Sequence, residues 1–108
     1  MKINNQEIID ECYQCAEACD HCATSCLNEE DIGMMKACIR LDMQCAAICR
    51  LAAHFLALQS GYAQQICYLC ADICTACAEE CSQHQHDHCQ YCAKRCRQCA
   101  DMCSKVAA

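Results

Sequence analysis

The sequence predicts an all-α domain, an antiparallel up-down-up-down four-helix bundle with a cysteine-lined core. Three observations lead there. Eighteen of the 108 residues are cysteine, against two glycines and no proline. Five-member cysteine runs with alternating steps of three and four recur in three places. Polar breaks suited to tight turns separate the segments. Steps of three and four are the a/d seam of a helical heptad. A chain with so little Gly and Pro also lacks the residues on which a turn-rich β domain depends.

The first run is Cys12, Cys15, Cys19, Cys22 and Cys26. Asn4 with Glu7 three residues later resembles a capping box, so the first helix is expected over about 5–27. Asn28-Glu29-Glu30-Asp31 puts acids where the dipole of a second helix favours them, over about 31–58. That helix carries only Cys38, Cys45 and Cys49, and extending the steps adds Met35, Asp42, Ala52 and Leu56 to its seam. Ser60-Gly61 closes it, with Gly61 expected in the left-handed conformation. The third helix, about 62–84, carries Cys67, Cys70, Cys74, Cys77 and Cys81. Asp87 with Gln90 caps the fourth, about 87–105, and places the break at His84 to His86. Its cysteines are Cys89, Cys92, Cys96, Cys99 and Cys103. Each full run covers about 21 Å of helix at 1.5 Å per residue. Short turns make neighbouring helices antiparallel, so the four stripes face one axis. The length suits a single domain, residues 1–108.

Composition makes those stripes the core. Leu, Ile, Val and Phe number only 16 in total, a level at which a charged chain often fails to fold. No run of 18 apolar residues is present to span a membrane. A net charge of −6 argues against binding nucleic-acid backbones. The start of the chain, MKINNQEIIDECYQ, has no apolar stretch and no small-residue cleavage site, so a cytoplasmic location is expected. In that compartment many thiols point to metal rather than to disulfides.

Packing alone does not explain why Cys stands where Leu or Ala would serve. Disulfides between cysteines three or four apart on one helix have poor geometry, and a few staples would suffice for a domain of this size. Metal remains. Thiolates are the ligands, and they cannot be buried bare. Zinc held by four thiolates keeps a net charge of −2, so four such sites would bury about −8. The C-x₂-C-x₂-C-x₃-C-P run of iron–sulfur proteins is absent. Cu(I) is monovalent, soft and satisfied by two thiolates, and when each thiolate bridges two ions the filled core is neutral. All eighteen cysteines are then ligands, for about 15 to 20 Cu(I) per chain. The alternatives are a zinc- or cadmium-binding, metallothionein-like detoxification protein and, less favoured, an iron–sulfur or thiol redox protein. No Cys, His and acid are arranged for nucleophilic catalysis, so no enzyme is expected.

Antiparallel topology sorts the two ends. One collects Cys26, Met34, Met35, Cys38, Cys81, His84, His86, His88 and Cys89; the other collects Ile8, Ile9, Phe55, Leu56, Leu58, Ile66 and Val106. The first reads as a mouth for metal uptake and the second as an apolar plug. His84 extends the third seam, His88 precedes Cys89, and Met35 and Asp42 lie on the second seam. These four are candidate accessory or uptake ligands; His86 reads as solvated. Leu41, Ile48, Leu51, Leu69 and Ile73 either flank the core or form a subunit contact.

The repeated CxxC/CxxxC ladders, with HxHxHC from His84 to Cys89 ahead of the last, resemble the four-helix-bundle copper storage proteins, and in particular their cytosolic subgroup. The resemblance runs from Cys12 to Cys103. It implies a bundle that stores many Cu(I) ions per chain, with His and Met at its open end, as a homo-oligomer and usually a tetramer. Copper would come from a copper chaperone or a small-thiol donor. Helix 2, with three cysteines and Asp42, is less sulfur-rich than the rest.

Overall fold

The structure, a computed structural model, describes residues 4–107. It contains α1 (Asn5–Leu27), α2 (Lys36–Ala57), α3 (Ala63–Cys81) and α4 (Asp87–Ala107), with a 3₁₀ turn, Ile32–Met35, leading into α2. No strand occurs among the described residues. The bundle measures 44 × 23 × 18 Å. Each helix packs on two others: α1 on α2 and α4, α3 on α2 and α4. Among the described residues no close backbone approach crosses either diagonal. The four helices therefore stand at the corners of a square around one axis.

The helix ends follow from local chemistry. Asn4 caps α1, its side-chain oxygen accepting the Glu7 backbone N–H at 2.9 Å. α2 begins at Lys36, later than the expected 31, because the residues around Gly33 tighten into the 3₁₀ turn, with Met34 N–H donating to the Asp31 carbonyl at 2.9 Å. At the far end of α2 the left-handed residue is Gln59, φ 54°, and not Gly61. Ser60 N–H returns to the Phe55 carbonyl at 3.0 Å and Gln59 N–H to that of Leu56 at 3.1 Å. This is a Schellman closure whose left-handed position falls two residues before the glycine.

α3 ends at Cys81, short of the expected 84. Gln83 and His84 instead donate across a tight turn to the carbonyls of Glu80 and Cys81, at 3.2 and 3.1 Å. Gln90 does not cap α4 as expected. Its amide donates to the carbonyls of His84 at 2.7 Å and Ser82 at 3.1 Å, tying the α3–α4 turn to the first turn of α4.

The core is made of small side chains. All eighteen cysteines are fully buried, and alanines that directly follow cysteines, such as Ala16, Ala46, Ala78 and Ala93, are almost as buried. Each such Ala lies one step round the helix from the seam, where a small side chain lets neighbouring helices approach closely. Ile8 and Leu56 are buried near one end and Met35 near the other. Among the described residues no helix is long and apolar enough to cross a membrane.

Candidate metal centre

The heptad places one sulfur every three or four residues on each helix, and the square packing turns all four stripes inward. The sulfurs form a continuous network along the axis, most neighbours being 3.4 to 4.0 Å apart. Cys12, Cys70, Cys99 and Cys103 cluster at the apolar end. Cys15, Cys49, Cys74 and Cys99 come next, followed by Cys15, Cys19, Cys45 and Cys96, and then by Cys19, Cys77, Cys92 and Cys96. Cys22, Cys26, Cys38 and Cys89 close the series at the opposite end, the one expected to be the mouth. Within each group the sulfurs lie within 4.8 Å of one another, and each of the first four groups shares a member with the next of the four. The nearest pair, Cys38 and Cys81, is 3.1 Å apart. Cys67 joins through Cys103, whose hydrogen bond lowers its pKa. All eighteen thiols are free.

Crowding distributes the protons unevenly. Cys45, Cys92 and Cys99 are pulled below the ordinary thiol range because four neighbouring thiols donate to each, with Cys15, Cys19 and Cys103 the strongest contributors respectively. Cys19 and Cys49 are pushed up, in both cases first by Cys15. For Cys26 and Cys89 burial is the leading cause, raising Cys26 to about 11 and raising Cys89 as well. Burial pushes upward on every one of these thiols, and neighbours that lower some of them are themselves raised, so turning the whole network into thiolates requires cations in place of the protons.

Asp42 is fully buried within this network. Its Oδ1 accepts from the thiols of Cys77 and Cys92 at 3.3 Å and Cys81 at 3.4 Å, and its Oδ2 from Cys38 at 3.8 Å. Burial, reinforced by the charge of Cys92, pushes its carboxyl up to about 8. Asp42 therefore adds an oxygen donor to a wall that carries only three sulfurs. Met35 is fully buried in the same core.

The histidines diverge. His88 directs Nδ1 at Cys89 and Cys26, 3.6 and 3.9 Å away, joining the mouth cluster. His84 does not reach it: with α3 ended at Cys81 the stripe stops, and His84 Nε2 pairs with Glu80 at 2.8 Å. His86, expected to be solvated, is instead held between Glu29 and Asp31. Those two acids were legible in the sequence only as helix-start residues; nothing in the local pattern pointed them at a histidine more than fifty residues away. His21 and His54 are exposed.

Comparison with known proteins agrees with this geometry. The copper storage protein family model matches residues 1–108. A cysteine-rich protein of Bacillus subtilis, YhjQ, is 47% identical over 72 residues, 67% of each chain. The Cu(I)-bound copper storage protein BsCsp3 superposes with a TM-score of 0.92 at 48% identity, covering 95% of this chain and 97% of the other. The cytosolic copper storage protein of Streptomyces lividans, in a form holding five coppers, gives 0.92 at 38% identity, covering 95% and 91%. Fold and cysteine network agree with a family match that spans residues 1–108: the chain belongs to the copper storage protein family.

Proposed function

We propose that this chain is a cytoplasmic store that takes up about 15 to 20 Cu(I) ions through its eighteen thiolates, by charge neutrality of the filled core. The observation that carries this is the unbroken network of fully buried, unoxidised thiols. Among the described residues no Lys or Arg is buried in it, so the charge of a fully deprotonated network must be balanced by metal. Isolated zinc–thiolate tetrads would leave several negative charges in the axis. Bridging monovalent ions leave none, and overlapping clusters that share sulfurs suit bridging.

Uptake exchanges a thiol proton for copper, so acid opposes it. We assign the mouth to the end with Cys26, Cys38, Cys81 and Cys89, with His88 and Met35 as accessory donors and Asp42 as an oxygen donor or thiol proton acceptor. His84 would act there only by leaving Glu80. The solved relatives are storage proteins, and no catalytic step is proposed. The exposed Leu51 and Leu69 and the partly buried Ile73 support a contact in a homo-oligomer, a tetramer by analogy with the family. The donor is a copper chaperone or a small thiol.

The test is an anaerobic Cu(I) titration of the reduced protein against a competing chelator, with circular dichroism recorded in parallel. Saturation near one copper per cysteine, with helicity present from the start, is expected. Saturation at one to four metals, or helicity that appears only with metal, would refute the proposal.

A further inference from the structure

The thiol network is uneven at one point. Cys38 and Cys81 lie 3.1 Å apart, whereas the next nearest sulfurs, Cys45 and Cys74, are separated by 3.4 Å. Other neighbours stand 3.6 to 4.0 Å apart. A disulfide bond is about 2.05 Å long, so this pair has about 1 Å to close. Cys38 stands in the first turn of α2 and Cys81 is the last residue of α3, and helix ends yield more readily than helix centres. Asp42 accepts from both thiols, from Cys81 at 3.4 Å through Oδ1 and from Cys38 at 3.8 Å through Oδ2, which holds the two sulfurs against one group. Cys38 also shares a cluster with Cys22, Cys26 and Cys89, and His88 Nδ1 faces the last two. An ion entering past His88 therefore reaches Cys38 within that first cluster.

We propose that Cys38 and Cys81 form a redox pair that reduces Cu(II) to Cu(I) at the mouth and closes into a disulfide; the placement of the mouth rests on the storage reading above. A first Cu(II) ion, bound by the Cys38 thiolate, takes one electron and becomes Cu(I), leaving a sulfur radical. The Cys81 thiolate adds to that radical, which forms the S–S bond with one electron in excess. A second Cu(II) ion removes that electron. Overall, two thiols and two Cu(II) ions give one disulfide, two Cu(I) ions and two protons, which pass to water. Distance decides the radical step, because only a sulfur already at contact intercepts the radical before another group does. Soft thiolates hold Cu(I) in preference to Cu(II), so the sixteen that remain of the eighteen favour the reduction by capturing its product. The new bond ties the start of α2 to the end of α3, positions 43 apart in the chain, and exchange with a small thiol restores the pair.

The test mixes the reduced, metal-free full chain with two equivalents of copper(II) sulfate under anaerobic conditions and follows the Cu(II) electron paramagnetic resonance signal. The protein is then unfolded in iodoacetamide, and disulfides are located by peptide mass spectrometry. Loss of the signal is expected, with the copper retained by the protein and one disulfide per chain joining Cys38 to Cys81. Cys38→Ser and Cys81→Ser, checked for helicity, are expected to slow the loss about tenfold, since each removes the partner held in place. A Cu(II) signal that persists in wild type, a disulfide at another pair or spread over several, or signal loss at the wild-type rate in both folded variants would overturn the assignment. The mapping is made on wild type, so it decides the assignment even where a variant fails to fold. A parallel Cu(I) titration of the same preparation tests storage separately: saturation near one copper per cysteine leaves storage standing whichever way the Cu(II) experiment falls.

Discussion

Replacing Asp42 by Asn tests how a buried acid behaves among thiols. The Asp42 carboxyl is pushed from 3.8 up to about 8, chiefly by burial. Its folded-state value therefore lies above the unfolded one, and between the two the folded chain binds more protons than the unfolded chain. Stability must fall as pH rises through that window, by up to about 1.4 kcal/mol per pH unit and about 6 kcal/mol in all. Asn cannot ionise, so this contribution disappears. The amide still accepts a hydrogen bond, but it brings an NH₂ group among sulfurs that are poor acceptors, at a pH-independent cost of about 1–3 kcal/mol. The stability curves of wild type and Asp42→Asn should then cross near pH 5 to 6, with wild type ahead below and the variant ahead above. Guanidinium unfolding of the reduced, metal-free proteins from pH 4.5 to 8 measures this directly. Parallel curves, or a wild type that gains on the variant as pH rises, would refute the reasoning.

Three further outcomes follow from the packing. Ile8→Ala empties a fully buried position at the apolar end; it should cost the metal-free protein about 2–4 kcal/mol and leave the copper stoichiometry unchanged, as read by denaturation and titration. Gln59→Gly relieves the left-handed strain after α2 and should stabilise by about 1 kcal/mol, visible as a higher denaturation midpoint. Arg95 donates to Glu11 at 2.5 Å, bridging α4 to α1, while burial raises the Glu11 carboxyl and Arg95 opposes that rise. Arg95→Ala should therefore cost about 1–2 kcal/mol at neutral pH, a loss that fades as pH falls through the Glu11 pKa and the carboxylate is protonated. A loss unchanged at pH 3.5 would place the role of Arg95 in packing rather than charge.

The heptad steps determined the helices, their inward faces and the composition of the core. A period of three and four leaves no other face for the sulfurs, and seam extrapolation reached Met35, Asp42, Ala52 and Leu56, all of them buried. The chemistry of a thiol-lined axis was legible for the same reason, since side-chain type and direction are local properties. Turn geometry was not. Which residue after α2 turns left-handed depends on where the last helical hydrogen bond closes, so Gln59 took the position expected of Gly61. His84 lost its place on the stripe because α3 unwinds at Cys81. The partners of His86 and His88 depend on how two turns, far apart in sequence, meet at one end of the bundle. Contacts of that kind are set by helix length and packing together, and only the tertiary structure could bring Glu29 and Asp31 to those rings.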